Sequence, residues 1–343
     1  MSTISHSAAD AVKYGGVIRE DVMDKIWDIS GIPLPFTEMC SKGTHSNKRA
    51  EFVTDELDPP ATDNAVIEGA ESSKNNGKFG ERLGNFTQIA TKEVKVTDTS
   101  QAANSVGNMA NLSYQISQRQ KELRRDVEAQ MLTHQASVAG DDSAIPGISA
   151  GLGAQLKSNV SVGATGAVGG FNSTTGLFVA PTPGTKRALS ETTIRDILQS
   201  VYEAGGNTTV AMARPVVIRK LSEYLFGATA RVATLTSDKA QKGDGGALTA
   251  YGSVNVFVTD FGQTIALRDN RLQAADAAGE STMYFLDSTH LKQSMLRGYT
   301  VEPLAKTGLS DKRIMSVQYS LLVLNEASQG AIMAIDETAA VVA

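Results

Sequence analysis

The sequence predicts an α+β fold. Three observations carry that prediction: one long helical pattern without proline from Asp98 to Gln135, two later segments with helical spacing, and a set of strand-like runs that follow no strict strand–helix–strand repeat.

The long pattern includes NLSYQISQRQKELRRDVEAQMLTHQ, residues 111–135. Asp98 and Gln101 have the spacing of a capping box, in which two side chains bind each other's free backbone N–H groups. Gly140 follows where the pattern fades and reads as a stop. Taken as one helix the segment spans about 38 residues, or roughly 57 Å. Val106, Met109, Leu112, Ile116, Leu123, Val127 and Met131 fall in one apolar stripe, with Glu122 and Asp126 opposite. Lys121, Arg124 and Arg125 interleave with Glu122, Asp126 and Glu128, which reads as a solvated face rather than a phosphate-binding run. Gln120 and His134 interrupt the seam that a coiled coil needs, and no second long helix exists to pair with it. The pattern therefore predicts a one-sided beam packed across a sheet. His134 is placed as a favourable cation at the helix end.

Residues 1–50 hold a short amphipathic stretch, Ile18 to Ile29, and the proline-broken SGIPLPF. They read as an extended arm with one small helix. In 51–97, EFVTDEL and GNFTQIATKEVKV are strand-like, with Phe86, Ile89, Val94 and Val96 as the apolar residues. The polar segment between them contains Asn76-Gly77, the strongest short-range hairpin signal in the chain. A long hairpin with Lys74, Asn75, Asn76, Gly77 and Lys78 at its tip is the expectation. A two-stranded hairpin is marginal alone in water, so this one needs another chain to rest on.

Downstream, 138–189 is rich in Gly, Ala, Ser and Thr, punctuated by Leu152, Leu156 and Phe171, and predicts irregular connections with one or two short strands. Ser190 opens a helix with Ile194, Ile197, Leu198 and Val201 on one face and Gly205-Gly206 as its stop. The strand TTVAMA follows, then a helix with Pro215 at its first position and Ile218, Leu221 and Leu225 on its apolar face. Residues 254–268 read as a hairpin around DFGQ. TMYFL, Lys312 to Asn325 and AIMAI complete the strands. In the second of these, Met315, Val317, Tyr319, Leu321 and Val323 share a face.

Composition narrows the function. The 343 residues are 41% hydrophobic with a net charge of −5, which supports a real core and argues against a domain built to grip nucleic acid. No apolar run approaches the ~20 residues of a membrane span. The N-terminus lacks the basic start and apolar block of a signal peptide. Cys40 is the single cysteine, so no intramolecular disulfide forms. The four Asn-X-Ser/Thr matches, at Asn85, Asn111, Asn172 and Asn207, read as chance. Asp260-Phe261-Gly262 spells the kinase metal motif without a catalytic loop or nucleotide loop to accompany it, and reads as a tight turn. Gly151-Leu-Gly153 and VGATGAVGG lack the remaining residues of a dinucleotide or phosphate loop. His6, His45, His134 and His290 are scattered and Cys40 has no partner, so no metal site, cofactor or catalytic set is expected.

The order of arm, polar-tipped hairpin, long helix and mixed body resembles the major capsid proteins of tailed bacteriophages, a fold shared with encapsulin shells. More specifically, GNFTQIATKEVKV, LSYQISQRQKELRRDVEAQMLTHQASVAGD, TKRALSETTIRDILQSVYEAGGN, VFVTDFGQTIALRDNR and VEPLAKTGLSDKRIMSVQYSLLVLNEAS are similar to a podophage-type family of the Hong Kong 97-like capsid fold. The resemblance covers roughly 30–335 and departs most in 149–184. It implies an N-terminal arm at 1–50, an E-loop at 51–97 and a P-domain spine helix at 98–145. It further implies an A-domain at 146–298, a P-domain strand at 299–326, and the A-domain end with C-terminal tail at 327–343. The implied function is self-assembly, as pentamers and hexamers, into an icosahedral virion shell around double-stranded DNA. DNA would be enclosed without sequence-specific binding, and no membrane is involved. A portal protein and separate scaffolding and decoration proteins are the implied partners, with assembly in the host cytoplasm. An encapsulin-like compartment and a small-oligomer enzyme are the alternatives.

Overall fold

The computed structural model describes residues 33–57, 60, 62–63, 65–69, 80–103, 111–141, 143–225 and 256–342. The chain divides into two compact units. The described residues of the first are Pro33 and those within Lys92–Glu122 and Val301–Met315; those of the second fall within Leu34–Thr91, Leu123–Thr300 and Ser316–Ala343.

The core of the second unit is a six-stranded mixed sheet. Its strands are β5 (Val160–Ser161), β8 (Val210–Ala213), β9 (Val256–Val258), β10 (Thr264–Asp269), β11 (Glu280–Leu286) and β14 (Gly330–Asp336), ordered β5-β14-β11-β8-β10-β9. TMYFL and AIMAI are continuous apolar runs because β11 and β14 are covered on both faces. On one face lie helices α5 (Glu191–Glu203) and α6 (Pro215–Leu225), whose Ile194, Ile197, Leu198, Val201, Val217 and Leu221 pack on Ala211, Ile265, Met283, Phe285 and Ile332. On the other face Tyr284 donates its hydroxyl to the Leu132 carbonyl at 3.3 Å. Pro215 opens α6 where a missing N–H costs nothing. Gly205, with φ +81°, closes α5.

A second sheet has the order β1-β12-β13-β4, from β1 (Ser41–Thr44), β4 (Gln88–Thr97), β12 (Leu291–Pro303) and β13 (Ser310–Val323). The predicted face of Met315, Val317, Tyr319, Leu321 and Val323 is buried throughout. The single strand expected over 299–326 is instead two arms of a hairpin, with Leu304 N–H donating to the Lys312 carbonyl at 3.1 Å and Gly308 at φ +83° in the turn. In the Gly/Ala-rich region stand α4 (Leu152–Gln155) and two short paired strands, β6 (Gly170–Asn172) and β7 (Leu177–Val179), where Phe171 and Phe178 meet edge-on at 5.3 Å.

The long helix departs from its prediction. A first turn, α2 (Asp98–Ala102), ends where Ala103 turns extended with ψ 141°. The spine proper is α3 (Leu112–Met131), 20 residues. Thr97, not Asp98, is the cap: its hydroxyl accepts the Ser100 N–H at 3.3 Å. Asp98 is held by Lys306 at 3.0 Å instead. The competing use of an acid at a helix start, pairing with a cation from another strand, won over the capping box. Of the predicted stripe, Leu123, Val127 and Met131 are buried, Leu112 and Ile116 are half-buried, and Val106 and Met109 lie outside the described residues. The Ile18–Ile29 stretch also lies outside them. A helix, α1 (Pro35–Met39), starts at the last two residues of SGIPLPF, with Phe36 fully buried.

Candidate assembly surfaces

The predicted hairpin begins as two paired strands, β2 (Arg49–Thr54) and β3 (Glu81–Phe86), antiparallel from Arg49 opposite Phe86 to Thr54 opposite Glu81. Its base is anchored by one buried amide. Asn85 donates to Ser149 Oγ at 3.1 Å, Ala150 O at 3.3 Å and Leu321 O at 2.7 Å, and accepts the Ala150 N–H at 2.9 Å. Arg49 lies over the Phe86 ring at 5.6 Å and donates to the Gly176 carbonyl at 2.9 Å. The Thr87 N–H binds the Lys48 carbonyl at 2.9 Å.

Beyond that base the segment carries large aliphatic side chains that its own chain leaves open. Val53 is 67%, Leu57 93%, Val66 71% and Ile67 83% exposed. Ile89, expected among the apolar residues of this region, is 62% exposed, because β4 alternates and turns Ala90, Val94 and Val96 inward. The predicted tip, Lys74 to Lys78, lies outside the described residues.

On the spine, the residue that sequence reasoning missed is Glu128. Read as part of a solvated charge pattern, it is fully buried. Its carboxylate accepts the N–H groups of Phe36 at 2.8 Å and Thr37 at 2.7 Å, the Thr37 hydroxyl, and the Asn270 amide at 2.7 Å. It thereby caps α1 from far along the chain. Spacing gave a signal of a kind: Glu128 follows Leu123 and Val127 on the apolar side of α3. His134, expected at a helix end, lies beyond it and meets the Asp276 carboxylate at 2.7 Å.

The Asp260-Phe261-Gly262 segment is the predicted turn, with Gly262 at φ +80° and its N–H bound to the Thr259 carbonyl at 3.0 Å. Asp260 pairs with Arg195 at 2.7 Å, and the Phe261 ring stacks on Tyr202 at 4.7 Å. Among the described residues no group of three or more His, Cys, Asp or Glu side chains is placed to hold a metal, and no helix is long and apolar enough to cross a membrane.

Solved structures share this architecture. The native GTA particle capsid matches with a TM-score of 0.55 at 12% identity, over 96% of this chain and 99% of that one. The Gordonia phage Cozz structure matches at 0.53 and 12%, over 98% and 96%. The SrpI encapsulin of Synechococcus elongatus PCC 7942 matches at 0.54 and 11%, over 98% of each. The fold is thus the Hong Kong 97-like α+β fold of shell-forming proteins. The major capsid protein of Escherichia phage Phieco32 is 25% identical over 326 residues, 86% of this chain and 88% of that protein. The SU10 major capsid protein family matches residues 3–336, and the chain belongs to it. It is a major capsid protein of a tailed phage and a component of the virion.

Proposed function

We propose that copies of this chain close into pentamers and hexamers of an icosahedral head around double-stranded DNA, and that the segment 51–97 is the E-loop that joins them. The exposure of Val53, Leu57, Val66 and Ile67 carries this reading. Burying one such side chain contributes about 1.5–3 kcal/mol, and the chain does not gain this within itself. Laid over a neighbour, the hairpin adds main-chain hydrogen bonds as well. Head-to-tail contacts of this kind close into rings, and many weak ones act together through effective concentration.

In this reading 1–50 is the arm, 98–145 the spine of the P-domain, 146–298 and 327–343 the A-domain and tail, and 299–326 the remaining P-domain chain. Leu123, Val127 and Met131 are the buried packing residues of the spine. The protein acts as a wall and not as an enzyme. Assembly takes place in the host cytoplasm and includes a portal protein.

The test replaces residues 58–79 by a short glycine-containing turn that keeps β2 and β3 paired. The expected product is a folded subunit that forms no stable shells in electron micrographs; shells in wild-type yield would count against the reading. Nuclease-protected DNA in native particles separates a genome container from an enzyme-filled compartment.

A further inference from the structure

We propose that Glu128 is a latch that fastens the N-terminal arm to the body of the subunit through an anionic acceptor that a neutral side chain cannot replace. The proposal rests on reading 1–50 as the arm. All four hydrogen bonds described for this carboxylate are accepted, two from main-chain N–H groups at the start of α1, one from the Thr37 hydroxyl and one from the Asn270 amide. The Glu128 side chain is fully buried, as is the neighbouring Phe36 side chain, while Thr37 is half-buried. A helix of five residues has too few internal hydrogen bonds to persist alone. The charge on Glu128 completes it, because a carboxylate satisfies orphan N–H groups and is favoured by the positive end of the helix.

The other titratable groups facing this point are Lys42, Cys40 and Tyr299. The Lys42 ammonium donates to Thr37 O at 2.6 Å and Gln293 Oε1 at 2.7 Å, and no hydrogen bond to Glu128 is among those described. The carboxylate is therefore held by donors of the arm and the β10 end rather than by an ion pair. Release of its grip frees α1. Glutamine at 128 keeps the shape but turns an NH₂ group toward N–H donors.

Amide hydrogen exchange on dissociated full-length subunits tests the latch. Because particles are not needed, its failure is separate from failure of the assembly reading. In Glu128→Gln the amides of Phe36 and Thr37 exchange about tenfold faster or more, since hydrogen bonds to a charged group are among the stronger ones, while Met283–Phe285 keep wild-type protection. Wild-type exchange at Phe36 and Thr37 overturns the proposal. Should Glu128→Gln lose protection at Met283–Phe285 as well, Thr37→Val decides. Removal of the hydroxyl donor alone then speeds exchange at Phe36 several-fold, and an unchanged rate overturns the latch.

Discussion

Tyr319 on β13 donates its hydroxyl to Gln130 Oε1 on α3 at 2.6 Å. Burial pushes the Tyr319 phenol above its ordinary range, so it remains a donor at any working pH. The same Gln130 oxygen also accepts from Gln88 Nε2 at 3.0 Å. Tyr319→Phe therefore leaves that acceptor satisfied, and its cost falls near ~1 kcal/mol, the ordinary value for one hydrogen bond. Urea unfolding of dissociated subunits measures it.

Asn85, fully buried, holds the hairpin base: its two amide hydrogens are shared among three acceptors, and its oxygen accepts one bond. Asn85→Asp sets a carboxylate against the carbonyl oxygens of Ala150 and Leu321. A loss of about 3 kcal/mol or more is expected, larger than for Asn85→Ala, because a buried unpaired charge is worse than a missing group. The same denaturation experiment ranks the two, and shell yield should follow the ranking.

These two anchors show what the sequence discloses and what it withholds. The strands TMYFL, AIMAI and Lys312–Asn325 and the helices opened at Ser190 and Pro215 were legible because burial imposes a period on the side chains. Asn85 and Glu128 were not. Each is a polar residue in a strand or helix, and its partners lie tens to hundreds of positions away, so no local spacing distinguishes it from a solvated neighbour. The break after Ala102 was hidden for a related reason: nothing in DTSQAANSVGN forbids a helix outright, and the competing contacts come from Leu309, whose carbonyl accepts the Asp98 N–H at 3.2 Å. The exposed aliphatics Val53, Leu57, Val66 and Ile67 escaped periodicity altogether, because no surface within the described residues buries them.

Ala334 sits within β14 at φ 58°, a left-handed conformation in a strand buried from Gly330 to Ile335. It coincides with the bulge at which Ser281 faces Ile335 but Met283 faces Ile332. The conformation costs a non-glycine residue roughly 1–2 kcal/mol. Ala334→Val adds branching at Cβ and should lose at least ~1 kcal/mol more, while Ala334→Gly stays near neutral because relief of strain offsets the lost chain stiffness. Thermal unfolding of the two variants gives the order.

Cys40 is buried, and that burial pushes its thiol from 9.0 up to about 12. The folded chain holds this proton more tightly than the unfolded one. Its contribution to stability is therefore complete below pH 9 and is lost as the pH rises toward 12. Since the thiolate is the reactive form, iodoacetamide at pH 8 should label the folded subunit on the order of a thousandfold more slowly than the urea-unfolded chain.

β14 is the last strand of its sheet to leave the ribosome, yet it lies between β5 and β11 and supplies Ala331, Ile332, Met333 and Ile335 to the interior. Until it is translated, the apolar β11 has no neighbour on that side. A polypeptide that stops before β14 therefore leaves β11 with an unpaired apolar edge in the middle of its sheet.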